Sequence, residues 1–76
     1  MPNVLITGAS RGIGAAAARL FARKGWNVAL NFRSSRTEAE ELAQELIQQG
    51  VKAVPIQADV SDPGKAERMV QEADRL

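Results

Sequence analysis

The stretch Thr7-Gly8-Ala9-Ser10-Arg11-Gly12-Ile13-Gly14 holds the residues whose types and spacing point most directly to chemistry. Glycines at 8, 12 and 14 remove Cβ atoms from one short turn, which lets an anion such as a pyrophosphate approach backbone N–H groups. Where such a turn opens a helix, those groups stand at the helix's positive end and favour negative charge. Anion binding is therefore the expected property. The competing reading is a plain glycine-rich connection. It weakens if a strand precedes the turn and a helix follows it. A Walker-type phosphate loop is excluded, because no Gly-Lys-Ser/Thr closes the stretch.

The elements that must position this turn are legible in the hydrophobic periodicity. Val4-Leu5-Ile6 is apolar on both alternating faces, as in a strand buried on both sides of a parallel sheet. Ile13, Ala16, Ala17, Leu20 and Phe21 follow at helical spacing, with Gly25 as the stop. Trp26–Phe32 reads as a second strand and Arg33-Ser34-Ser35-Arg36 as a polar loop. Ala39, Leu42, Ala43, Leu46 and Ile47 share a helix face, with Thr37 and Glu40 at capping-box spacing. Val51–Ala58 reads as a third strand, which Pro55 confines to an edge. Asp62-Pro63 predicts an N-cap and first-turn proline for a last helix with Ala66, Met69, Val70, Ala73 and Leu76 on its apolar face. Such alternation gives a three-layer α/β fold: residues 1–76 form one half of a doubly wound parallel sheet, strand order 3-2-1. Strand one, expected to be the most apolar, lies at the edge opposite Pro55.

Composition narrows the function. The chain has 76 residues, 45% hydrophobic and 25% charged, with a net charge of +1, which suits one small packed unit. That charge is too small for a nucleic-acid or anionic-membrane footprint. No Cys and no His are present, so thiol chemistry, common zinc sites and His-based triads are excluded. No Tyr is present, so phenolic acid–base chemistry is excluded as well. Met1–Thr7 has no signal-peptide pattern, which makes the cytoplasm the expected compartment. The glutamates at 38, 40, 41 and 45 read as a solvated face, and Trp26, Phe32 and Met69 as packing residues.

The glycine turn resembles the Thr-Gly-x-x-x-Gly-x-Gly signature of the short-chain dehydrogenase/reductase family, including the Ala-Ser-Arg and Gly-Ile-Gly fillings. The resemblance continues through Asn31-Phe32-Arg33-Ser34 and Ala58-Asp59-Val60, and is strongest toward sugar-dehydrogenase and 3-oxoacyl-reductase-like members. It implies a Rossmann fold binding NAD or NADP, with Gly8, Ser10, Arg11, Gly12, Ile13 and Gly14 at the cofactor and Asp59 and Val60 near adenine. Asp59 is equally suited to capping the turn that follows it. Phe32 stands where an acidic residue would repel a 2′-phosphate, so NADP is preferred over NAD. Arg11 and Arg33 are candidates to pair with that phosphate and Ser34 to add a hydrogen bond. The alternative for Arg11, Arg33 and above all Arg36 is a solvated loop charge.

The family's reaction is hydride transfer between nicotinamide and a carbonyl or alcohol, and it implies a Tyr-x-x-x-Lys pair, an upstream Ser and an Asn-Asn-Ala-Gly motif. None occurs here, and Lys24, Lys52 and Lys65 match no catalytic position. The expectation is an N-terminal cofactor-binding portion of a reductase, inactive alone, with no catalytic residue and no metal site of its own. The alternative is a stand-alone nucleotide-binding or self-associating module. Separately, the unpaired apolar edge of strand one leads to the expectation of a homodimer through that strand, or of aggregation where such pairing fails.

Overall fold

Six elements alternate along the chain in the computed structural model, which describes residues 2–59 and 61–76. They are β1 (Asn3–Ile6), α1 (Gly12–Arg23), β2 (Asn27–Phe32), α2 (Arg36–Gln48), β3 (Ala53–Gln57) and α3 (Pro63–Asp74). The strands form one parallel sheet in the order β1-β2-β3, with Leu5 opposite Ala29 and Ala29 opposite Val54. α1 and α2 cover one face, where Ala18, Leu46, Val28 and Leu30 meet. α3 covers the other, where Met69 and Ala73 meet Ala29 and Ile56. This is the expected three-layer half of a doubly wound fold. No described helix is long and apolar enough to cross a membrane.

β2 is buried along its whole length and is the best-shielded strand. Strand one, expected to be the most apolar, is only partly buried. A central strand has neighbours on both sides as well as helices on both faces, and an edge strand lacks one of them. Pro55 sits on the β3 edge, opposite Leu30, where its missing N–H costs no ladder bond. β2 carries an asparagine near each end. The Asn27 side chain accepts from the Lys52 N–H at 3.0 Å and donates to Asn3 Oδ1 at 3.1 Å. Buried Asn31 donates to the carbonyls of Ile56 and Ala58 at 3.3 and 3.1 Å. Both amides thereby tie β2 to its neighbours, at a net gain of about 1 kcal/mol per bond.

The helix termini and faces depart from the sequence pattern at definite places. In α1 the buried residues are Ala15, Ala18 and Ala22, whereas Ile13 is 91% exposed and Leu20 also stays in solvent. The run of alanines offers more than one face at helical spacing, and the face with the smallest side chains allows the closest approach to β2. α2 starts at Arg36 behind Ser35, which places Thr37 inside the helix, so the capping box does not form. Glu40 instead pairs with Arg36 at 3.4 Å. In α3 the expected cap is present: Asp62 Oδ1 accepts from the Gly64 and Lys65 N–H groups at 3.0 and 3.3 Å, with Pro63 in the first turn. Val70, expected in the core, is 56% exposed. Among the glutamates expected on a solvated face, Glu45 has a partner on the neighbouring helix.

That partner is Arg19, whose Nε and Nη2 donate to Glu45 at 2.7 and 3.3 Å, linking α1 to α2. The hydrogen bond to Arg19 is the main cause holding the Glu45 carboxyl below its ordinary value, and the same bond raises Arg19. Both side chains remain partly in water, so their coupling in a double-mutant cycle (Arg19→Ala, Glu45→Ala) should be about 0.5 kcal/mol at neutral pH. A depressed folded-state carboxyl contributes stability above its unfolded value and loses it as pH falls through the folded one. Urea denaturation along a pH series should therefore show the coupling vanish on the acid side of the ordinary carboxylate range. A coupling that persists there would show that the pair is held by packing.

Candidate functional site

The glycine turn joins the end of β1 to the start of α1 through two residues in the left-handed region, Gly8 at φ +60° and Gly12 at φ +65°. Gly14 serves a different purpose. A Cβ there would collide with the Gly8 carbonyl oxygen and lie 2.9 Å from its carbon and 3.0 Å from Ala9 Cα. The first turn of α1 thus rests directly on the backbone of the loop. Buried Ala9 donates its N–H to the Asn31 carbonyl at 2.9 Å, which fastens the loop to the end of β2. Arg11 occupies the N-cap in extended conformation and makes no side-chain cap, and no acidic residue stands in the first turn. The helix start therefore has no side-chain oxygen on its N–H groups from the capping position, and its own first turn carries no carboxylate to oppose an anion.

The C-terminal ends of the strands converge beside this loop. Thr7, Gly8, Asn31, Arg33, Ala58, Asp59 and Ser61 line one open cleft. Across its mouth Arg33 Nη2 lies 3.9 Å from Asp59 Oδ2. The other carboxylate oxygen, Oδ1, accepts from the Ser61 hydroxyl at 2.7 Å and the Ser61 N–H at 2.9 Å. These bonds, the hydroxyl's foremost, hold the Asp59 carboxyl below its ordinary value, with smaller help from Arg33 and Lys65. Asp59 therefore closes the turn after β3 with one oxygen and faces Arg33 with the other.

Of the residues singled out in the sequence, Gly8, Arg33 and Asp59 share the cleft, and Gly12 and Gly14 shape the loop beside it. Arg11, Ile13 and Ser34 stand exposed. Ser10 lines a separate depression with Arg19 and Glu45. Val60 lies outside the described residues. Arg36 is engaged structurally: its guanidinium lies 5.3 Å from the Phe32 ring centroid and donates to Gln57 Oε1 at 2.7 Å. Asn31 enters the sequence reading only as part of the second strand and of the resemblance, yet it borders the cleft and pins the end of β3. The available signal was an amide interrupting an otherwise apolar strand at its last turn of pleat, where a buried polar group needs partners.

Comparison with known proteins agrees with this geometry. A family model described as short chain dehydrogenase matches residues 2–76. A 3-oxoacyl-(acyl-carrier-protein) reductase of Staphylococcus aureus strain Mu50 is 41% identical over 70 residues, covering 92% of this chain and 28% of its own length. Versicolorin reductase of Emericella nidulans is 42% identical over 69 residues, covering 91% of this chain and 26% of its own length. A short chain dehydrogenase from Burkholderia cenocepacia, solved in complex with NADP, superposes with a TM-score of 0.94 at 35% identity, over 97% of this chain and 30% of its own. The chain thus spans less than a third of the length of these relatives. With a family match along nearly its whole length, and a fold and glycine turn that agree with it, the chain belongs to the short chain dehydrogenase family.

Proposed function

We propose that this chain forms the adenosine-phosphate half of a dinucleotide site, with a preference for NADP over NAD, in an oxidoreductase that transfers hydride to or from a carbonyl or alcohol. The observation that carries the proposal is the Gly14–Gly8 contact, which seats the first turn of α1 directly on the glycine loop with no room for a Cβ between them. The residues fit the group: the α1 amides suit a pyrophosphate, and Arg33 stands at the end of β2 where no carboxylate follows Phe32. Solved neighbours described as complexes with NADP, NADPH and 5-hydroxy-NADP support the 2′-phosphate assignment. When bound, the nicotinamide supplies the hydride chemistry. The 76 residues hold no Tyr to donate a proton, so binding is the contribution of this segment and turnover by the chain alone is not expected.

Calorimetry with adenosine 2′,5′-bisphosphate and 5′-AMP tests this reading. The bisphosphate should bind more tightly, with a dissociation constant no better than roughly the high-micromolar range, since half of a full cofactor's contacts are lacking. Arg33→Asp should erase the difference, and added salt should narrow it. An unchanged preference in that variant would remove Arg33 from the site. Turnover of NADPH by the purified chain above a contaminant control would contradict the binding-only role.

A second reading, self-association, is favoured by the edge of β1, which has no strand beyond it among the described residues. Val4, Leu5 and Val70 line a shallow depression along that edge. An isologous pair of β1 strands would run antiparallel and cover both edges. Light scattering over a dilution series should then show a dimer that Val70→Lys weakens. A folded monomer at high concentration would reject this reading.

A further inference from the structure

The cation assigned to the 2′-phosphate is already paired. Arg33 Nη2 lies 3.9 Å from Asp59 Oδ2, and the Arg33 side chain is otherwise in solvent, 82% exposed. Its main chain is fixed, because the Gln57 side chain donates to the Arg33 carbonyl at 3.2 Å. The carboxylate is fixed more firmly, since Oδ1 is held by both the hydroxyl and the N–H of Ser61. Asp59 must therefore give up these bonds to swing aside when an anion arrives. The long guanidinium side chain is the part that must re-aim.

We propose that Asp59 is a specificity-determining residue: by pairing with Arg33 it withholds part of the guanidinium charge from a 2′-phosphate and so limits discrimination against an unphosphorylated ribose. This rests on the reading of Arg33 given above. A nucleotide with a 2′-hydroxyl demands little of Arg33 and leaves the pair intact, whereas a 2′-phosphate must share the guanidinium's charge with the carboxylate 3.9 Å away. Ser61 acts as a positioning residue. Its two bonds keep Asp59 ionised and pointed at the cleft, and Lys65 adds a weaker field of the same sense. Because the pair is exposed, the effect should be modest, so neutralising Asp59 should raise discrimination roughly two- to fivefold.

The test is an NMR titration of the 76-residue chain with adenosine 2′,5′-bisphosphate and with 5′-AMP, read as the ratio of their dissociation constants. Any contact that Asp59 makes with adenine is common to both ligands and cancels in the ratio. Asp59→Asn and Asp59→Ser should each increase the preference for the bisphosphate, and the increase should disappear when Arg33→Ala is added. Two neutral replacements guard against one variant failing to fold, which the amide spectrum reports directly. If Arg33→Ala alone leaves the wild-type ratio unchanged, or if neither ligand shifts the amides of the glycine turn, the underlying reading fails and the inference with it. If Arg33→Ala abolishes the preference while both Asp59 variants keep the wild-type ratio, the inference alone is overturned. An increase that survives undiminished without Arg33 would also overturn it, because the effect would then not pass through the pair.

Discussion

The contact between Gly14 and the backbone of Gly8 and Ala9 governs where the first helix begins. With no Cβ at 14, α1 seats its first turn directly on the loop that leaves β1. Any larger residue would push the helix outward, since backbone atoms on the opposing side have no rotamer to yield. The rest of α1 follows from that seating: Ala15, Ala18 and Ala22 face the sheet and are small enough to keep the close approach along the helix. The same seating brings the N–H groups of the first turn to the mouth of the sheet, so a packing constraint and a binding surface have one cause.

β2 translates this local constraint into a site. Its carbonyl at Asn31 receives the Ala9 N–H, and its Asn31 side chain holds Ile56 and Ala58, so one residue registers the glycine turn against the end of β3. Leaving those carbonyls without their donor would cost about 1–3 kcal/mol, a large share of the stability a domain of this size carries. Arg33 directly follows β2 and Asp59 lies two residues past β3, so two strands already in register bring both to the cleft. The electrostatics follow from that placement: a cation and an anion share the mouth of a cleft whose other lining residues are uncharged.

Much of this was legible in the sequence because its signals were unambiguous. The alternation of strands and helices, Pro55 at an edge and Asp62-Pro63 at a helix start each point to one arrangement, and the strand before and helix after the glycine turn weigh against reading it as a plain connection. The face of α1 was not legible, because a run of alanines satisfies helical periodicity in several rotations and a count of large apolar residues favoured Ile13 and Leu20. The capping box at Thr37 and Glu40 does not form because the helix begins at Arg36, one residue before Thr37, behind a Ser35 whose side chain makes no cap. The double duty of Asp59, closing its own turn and facing Arg33, joins a local contact to one across the sheet. Only its first half has a signature in neighbouring residues.

The claim most exposed to direct test is that the glycine turn binds phosphate through its backbone. Amide shifts of the wild-type chain and of Gly14→Ala can be followed as inorganic pyrophosphate is added, with thermal unfolding of both proteins as a control for folding. The account predicts shifts concentrated at Gly12, Ile13 and Gly14 in the wild type and their loss in a variant that remains folded. Equal shifts in both proteins, or shifts centred instead on Lys65 and Arg68 within α3, would contradict it.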